Sequence, residues 1–218
     1  MMSLLDILSN SVSRPVPASA IPCMAYPLVH VDDLRPVNLI APGVNGPWIA
    51  GGAALQWYQG RPLELHDIDV FCAGPEQADQ LCQRLAPHCS MTFQSNNATT
   101  YGLDATTNIT DIIAKRWTVQ VIKRRYFDSI RDVVNSFDIT VCQIGMDGHE
   151  WVLGTAAAQD IRQQNLRMTL PLLPDAVKRL TKYWSYGYRP VPGLLKAIVQ
   201  NTESRWTFDP AEDYNDAF

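Results

Sequence analysis

Between Trp48 and Leu85 the hydrophobic period of the chain switches back and forth, and that order of elements restricts the fold more than any other feature. Trp48-Ile49-Ala50 is short and apolar, as a buried strand is. Gly51-Gly52 follows, and Ala53 to Gln59 then reads as a helix stopped by Gly60 and Pro62. Leu65 to Cys72 alternates apolar and polar residues with a strand's period of two. Gly74-Pro75 then opens a helix whose Ala78, Leu81, Cys82 and Leu85 share one face. Strand, glycine turn, helix, strand, helix predicts a sheet with helices laid on it.

The pattern continues in the same style. Met91 to Gln94, Thr99 to Leu103 and Thr118 to Ile122 are short, β-rich and bounded by turn formers, so each is predicted to be a strand. A helix through Ile130, Val133 and Val134 leads into a predicted strand from Asp138 to Met146. Asp147-Gly148 is a hairpin signal that returns Glu150 to Leu153 antiparallel, which makes the expected sheet mixed. From Thr155 the pattern turns helical, with segments from Ala156 to Gln164, from Pro174 to Tyr186, and after Pro192. The predicted class is α+β, divided into a proline-rich arm (1–47), a core (48–153) and a small C-terminal helical region (154–218).

Composition narrows the function classes only a little. The 218 residues, 46% of them hydrophobic, suffice for one globular domain with a small appendage. A formal charge of −4 argues against blanket attraction to nucleic acid while leaving room for a local basic patch. Five cysteines, Cys23, Cys72, Cys82, Cys89 and Cys142, have no CxxC pair and no zinc-type histidine spacing, and read as reduced thiols. The longest uncharged stretch is broken by Pro15, Pro17, Pro22 and Pro27, so no membrane span is expected. With no secretory pattern at the start, a cytoplasmic location is expected.

Chemistry concentrates in Asp67-Ile68-Asp69-Val70. On a strand, alternate side chains share a face, so the two carboxylates project together while Ile68 and Val70 enter the core. Like charges held that close favour a shared proton or a hard divalent cation such as Mg²⁺. The plain alternative is a pair on a solvated sheet face. Gly51-Gly52, between a strand and a helix start, suits close approach of a phosphate, although a simple tight turn reads the same way. Asp138, at the start of a strand expected in the same sheet, is a candidate third carboxylate, or else an edge aspartate. Three such groups would suit two metals roughly 3.5–4 Å apart, the spacing of in-line phosphoryl displacement.

These residues resemble a known family. Ile49-Ala50-Gly51-Gly52-Ala53-Ala54, with Gly60-Arg61-Pro62 and then Asp67-Ile68-Asp69-Val70, is similar to the motif of the DNA polymerase β-like nucleotidyltransferase superfamily, nearest the head of the tRNA CCA-adding enzyme and bacterial poly(A) polymerase group. Phe137-Asp138-Ile139-Thr140-Val141 resembles that group's Arg-Asp-Phe-Thr-Ile segment, and the likeness spans about 50 to 145. It implies a palm-like mixed sheet flanked by helices, with Mg²⁺ or Mn²⁺ at Asp67, Asp69 and Asp138 and a nucleoside triphosphate against Gly51 and Gly52. The chain departs from the group where Leu55-Gln56 replaces an Arg-Asp pair, and little sequence remains for the group's long helical body.

Basic residues form two clusters: Lys115, Arg116, Lys123, Arg124 and Arg125, then Lys178, Arg179, Lys182 and Arg189. Lys178 and Lys182, one helical turn apart beside Tyr183, Trp184, Tyr186 and Tyr188, are candidates for contact with the triphosphate and base, as against a solvated helix with an aromatic inner face. The expected activity is transfer of a nucleoside monophosphate, ATP being one possible donor, to a hydroxyl acceptor such as an RNA or tRNA 3′ end, with release of pyrophosphate. Two alternatives stand beside it: a catalytically silent binding or assembly module of the same fold, and a toxin-type tRNA nucleotidyltransferase.

Overall fold

The computed structural model describes residues 23–27, 35–60, 67–104, 116–169, 176–194 and 196. Its centre is an eight-stranded mixed sheet. The strands, in chain order, are β1 (Cys23–Pro27), β2 (Trp48–Ala50), β3 (Asp67–Phe71), β4 (Ser90–Gln94), β5 (Ala98–Asp104), β6 (Arg116–Ile122), β7 (Ile144–Met146) and β8 (Glu150–Gly154). In space they run β1-β8-β7-β2-β3-β6-β5-β4. Only β3 and β6 pair in parallel within this sheet, Asp67 opposite Thr118 and Asp69 opposite Gln120.

Both faces of the sheet are covered, and residue alternation shows how. In β2, Ile49 joins the larger core cluster while its neighbours Trp48 and Ala50 join a second one. All three are buried because each face carries a helical layer. On the larger side lie α2 (Gly52–Tyr58) and α3 (Pro75–Leu85), whose Ala53, Ala54, Ala78, Leu81 and Leu85 pack with Ile68 and Val70 of β3. On the other side α4 (Ile130–Asn135) lays Ile130, Val133 and Val134 against Trp48, Ala50 and Val152. Ser129 caps α4, its hydroxyl oxygen accepting from the Asp132 N–H at 3.3 Å. A further helix, α1 (Arg35–Ile40), is tied to α3 by the Arg84 guanidinium, which donates to the Ile40 carbonyl at 3.0 Å.

The α+β architecture expected from the sequence is the one observed. Two details differ. Cys23–Pro27, inside the proline-rich segment, forms an edge strand antiparallel to β8. The strand expected from Asp138 to Met146 is interrupted. Ile139 makes a lone bridge to Met168, Thr140–Cys142 forms a 3₁₀ turn, and only Ile144–Met146 enters the sheet as β7. The cause is a competing set of bonds. The Thr140 hydroxyl donates to the buried Asp160 carboxylate at 2.7 Å, and its backbone N–H donates to the Arg167 carbonyl at 3.0 Å. These draw residues 139–142 toward the C-terminal region instead of a neighbouring strand.

At the Asp147-Gly148 turn, Asp147 Oδ1 accepts from the backbone N–H groups of His149 and Glu150, both at 2.9 Å, and β7 and β8 pair antiparallel as expected. Beyond β8 come α5 (Ala157–Gln163) and α6 (Ala176–Ser185), with a small parallel pair, β9 (Asn165–Leu166) and β10 (Arg189–Pro190), between and after them. The expected helix start at Pro174, the body of the helix after Pro192, and Arg61 and Lys115 lie outside the described residues. Among the described residues no helix is long and apolar enough to cross a membrane.

Candidate functional site

The outward face of β3 changes character along its length. Asp67 is exposed, Asp69 is half-buried, and Phe71 packs edge-on against Phe127 and Phe137, with centroids 5.9 and 5.8 Å away. The carboxylates thus stand at the open end of a strand whose other end is anchored by three rings, while Ile68 and Val70 are fully buried on the opposite face. Strand alternation alone forces the pair together.

Gly51 closes the aromatic side of this region. It caps α2 with φ 81°, a left-handed conformation natural to glycine, and a Cβ there would stand 3.1 Å from Cε1 of Phe137. Its N–H donates to the Ile144 carbonyl at 2.9 Å, so Gly51 offers its small size, not its own amide, to an approaching ligand. Gly52 begins the helix.

The charges around Asp69 define the rest of the site. Burial lifts its carboxyl from the ordinary 3.8 to about 6, and the neighbouring Asp67 charge pushes the same way. Lys182 and Arg124 act on it in the opposite sense. Lys182 comes from α6 and Arg124 from the loop after β6, so two basic side chains from distant segments flank the acidic pair. Neither has an ion-pair partner among the described residues. Lys178 is exposed one turn earlier on α6. Trp184 is also exposed, but at 100° per residue it lies on the flank of α6 opposite Lys182.

Asp138 has a different environment. It is 3% exposed, and its Oδ2 accepts from Arg179 Nη2 at 2.6 Å. Tyr183 of α6 is buried near Cys142, and the charge of Asp69 acts on its phenol. Burial pushes the Cys142 thiol up to about 12 and the Tyr183 phenol well above its ordinary value, so both stay neutral in the physiological range. Arg179, Lys182 and Tyr183, at i, i+3 and i+4 on α6, are therefore the helix's contribution to the site. The sequence shows that spacing, but nothing local in it reveals that Arg179 meets Asp138, 41 positions away.

The donor set of Asp67 and Asp69 fits one hard divalent cation: two oxygen ligands on one face, mutually repelling, one of them partly desolvated. Asp138 does not complete a set of three in this structure, and its carboxylate is ion-paired with Arg179. Among the described residues no group of three or more His, Cys, Asp or Glu side chains is gathered to hold a metal ion.

Comparison with known proteins addresses fold and kinship separately. The sequence model described as Gabija anti-defense 2 family protein matches residues 35–164, more than half of the chain. A protein of Bacillus phage SPbetaL7 described as Gabija anti-defense 2 is 24% identical over 168 residues, covering 77% of this chain. The chain spans only 36% of that relative's length. Among solved structures, a CCA-adding enzyme with CTP superposes with a TM-score of 0.60 at 14% identity, over 80% of this chain and 44% of the enzyme. A Thermotoga maritima CCA-adding enzyme complexed with tRNA gives the same score and identity over 83% of this chain and 46% of the enzyme. A tRNA nucleotidyltransferase complexed with a primer tRNA and an incoming ATP analogue gives 0.53 at 15% identity, over 72% of this chain and 47% of the enzyme. The scaffold is that of the nucleotidyltransferases.

Proposed function

The chain belongs to the Gabija anti-defense 2 family, and from that premise we propose that it is a metal-dependent nucleotidyltransferase whose activity opposes a bacterial defence. In this reading the acceptor hydroxyl, at an RNA end such as the 3′ end of tRNA, attacks the α-phosphorus of a nucleoside triphosphate. A new phosphorus–oxygen bond forms, pyrophosphate leaves, and the hydroxyl proton passes to solvent. The location is the cytoplasm of the infected cell. Residues 48–153 supply the core, β1 and α1 add to it, and α6 brings the basic residues Lys178 and Lys182.

Each residue has a part. Asp67 and Asp69 would hold Mg²⁺ or Mn²⁺, which would offset the charge on the phosphates. Lys182 and Arg124, with Lys178 further out, meet the anionic oxygens of the triphosphate. Gly51 and Gly52 let a phosphate approach the start of α2, and the Phe71, Phe127 and Phe137 cluster keeps β3 from shifting under load. Asp138 stays paired with Arg179, outside this ligand set. The reading rests above all on one observation: two carboxylates on one face of β3, one lifted to about 6, facing basic side chains from two other segments on a nucleotidyltransferase scaffold.

The test is purified full-length protein with Mg²⁺, labelled nucleoside triphosphates and a tRNA pool. Label should enter RNA with wild type and disappear with Asp69→Asn; label that persists in the variant removes the site from these residues. A second reading, nucleotide binding without transfer, is favoured by the Asp138–Arg179 pair. It predicts saturable Mg²⁺–ATP binding with no pyrophosphate release.

A further inference from the structure

Strand register carries the acidic face of β3 outward across the neighbouring strands. Asp69 stands opposite Gln120 of β6, Gln120 opposite Thr100 of β5, and Thr100 opposite Phe93 of β4. Paired residues share a face, so these four form one row, and Asp67 and Thr118 begin the next. On the opposite face of the same strands Ile68, Val70, Val119, Val121, Thr99 and Tyr101 are all buried. On the acidic face Thr118, Gln120 and Thr100 are only half-buried, and Phe93 is 63% exposed. The helix of this face, α4, packs against Trp48, Ala50 and Val152, over the other half of the sheet.

Phe93 stands out in that row. A bare ring on an edge strand invites aggregation. The bulge between Met91 and Phe93 re-aims the side chain and unfits this edge for pairing with another strand. At roughly 4.8 Å per strand, the ring lies about 14 Å from Asp69 across the sheet. At roughly 3.4 Å per stacked nucleotide that is about four of them, fewer where a strand is stretched. Positive charge flanks the row. Lys123 turns to the helical face and pairs with Asp79 at 3.2 Å, whereas Arg124 and Arg125 are exposed. The Arg125 guanidinium lies 4.7 Å over the Phe127 ring, and Phe127 meets Phe71, two residues beyond Asp69 on the acidic face of β3. The backbone N–H groups of Lys123 and Arg124 both donate to the Asn97 carbonyl, at 2.7 and 3.0 Å, which fixes this basic loop to the turn between β4 and β5.

We propose that the acidic face of β6, β5 and β4 is a track for single-stranded RNA, with a base stacked on Phe93, a phosphate met by Arg125, and the 3′ end delivered to Asp67 and Asp69. The place of the reacting end rests on the transferase reading above, while the track itself rests on register, exposure and charge. An unpaired base offers a free face to the ring and a paired one does not, so the track selects single strands. Gln120 and Thr100, between the ring and the carboxylates, carry amide and hydroxyl groups that can bond base edges or 2′-hydroxyls.

Fluorescence anisotropy of the full chain with a short, unstructured, fluorescein-labelled oligoribonucleotide tests this, using wild type, Phe93→Ala, Phe93→Tyr, Arg125→Gln and Asp69→Asn. Phe93→Ala should weaken binding on the order of tenfold, as the loss of one base stack does, and leave its salt dependence unchanged. Phe93→Tyr, which keeps a ring, should stay near wild type. Arg125→Gln should lower the slope of log affinity against log salt by about 0.7, the loss of one phosphate contact to a single strand. A blunt RNA hairpin should bind more weakly and be indifferent to Phe93→Ala. Asp69→Asn should keep the RNA while losing transfer. Phe93 is exposed, so its truncation leaves the fold intact, and urea unfolding checks this. Equal binding of the single strand by wild type and Phe93→Ala, or none by wild type, overturns the track and leaves Phe93 to a protein partner, with the transferase reading still judged by label incorporation. Phe93-dependent binding without incorporation sustains the track and overturns the transferase reading instead.

Discussion

Asp69 should destabilise the cation-free protein at neutral pH, and Asp69→Asn should relieve it. Its carboxyl lies near 6 in the folded chain against an ordinary 3.8, the first cause being burial and the second the Asp67 charge. The folded state therefore binds this proton more tightly than the unfolded state. Stability from this group is fully present below 3.8 and is lost as pH rises through about 6. An interval of just over two pH units at about 1.36 kcal/mol per unit corresponds to roughly 3 kcal/mol. That is an upper figure, because solvent reaches part of the side chain on β3.

Asparagine has nearly the same shape and carries no charge at any pH. Urea unfolding in the presence of a chelator, run at pH 8 and pH 4, should show the variant more stable by up to about 3 kcal/mol at pH 8, with the difference shrinking toward zero at pH 4. Added Mg²⁺ should then reverse the order at pH 8, since a cation binding only the folded wild type stabilises it by RT ln(1 + [L]/Kd). A stability difference that does not change with pH, or a variant less stable at pH 8, refutes the claim that Asp69 is desolvated beside a like charge.

Other perturbations separate the parts of the molecule. Arg167→Met leaves Asp160 buried and unpaired, and thermal or urea unfolding should register a loss of about 3–5 kcal/mol; a loss under 1 kcal/mol would mean the fork is not formed. Gly51→Ala forces a left-handed φ of 81° on alanine and a Cβ against the Phe137 ring. It should cost about 1–3 kcal/mol and weaken triphosphate binding measured by calorimetry, whereas full stability would show that the turn can relax. Lys182→Ala should weaken triphosphate binding on the order of tenfold, and, since Lys182 lowers the Asp69 value, should raise it further in an NMR pH titration. A downward or absent change would place Lys182 away from the pair.

How far the sequence could be read depends on how local each determinant is. The shared face of Asp67 and Asp69 follows from the period of a strand, and the buried face of α3 from the spacing of Ala78, Leu81 and Leu85, so both were legible. Residues 139–142 misled because Ile139, Val141 and Cys142 are all buried, and apolar spacing cannot distinguish a strand from a 3₁₀ turn held by Thr140, Asp160 and Arg167. β1 was hidden for a similar reason. An edge strand needs a partner, and β8 lies more than a hundred residues further along. At the candidate site the acidic side chains stood out and their neutralisation did not, because a charge pair formed across 41 positions leaves no trace in spacing.

The family match and the site divide along the same line. Residues 35–164 contain Gly51, Gly52, Asp67, Asp69, Arg124 and Asp138, while α6 with Arg179, Lys182 and Tyr183 starts at Ala176. The acidic pair and the glycine turn sit in the sheet, where packing on both faces fixes them. Most of the opposing positive charge is delivered by a separate helix, which buries Leu180 and Tyr183 in the larger core cluster and pairs Arg179 with Asp138. A rotation of α6 by one residue would swing Lys182 about 100° away and withdraw Arg179 from Asp138 while leaving Asp67, Asp69 and the whole sheet in place. The electrostatics of this site can therefore change without any change in its scaffold.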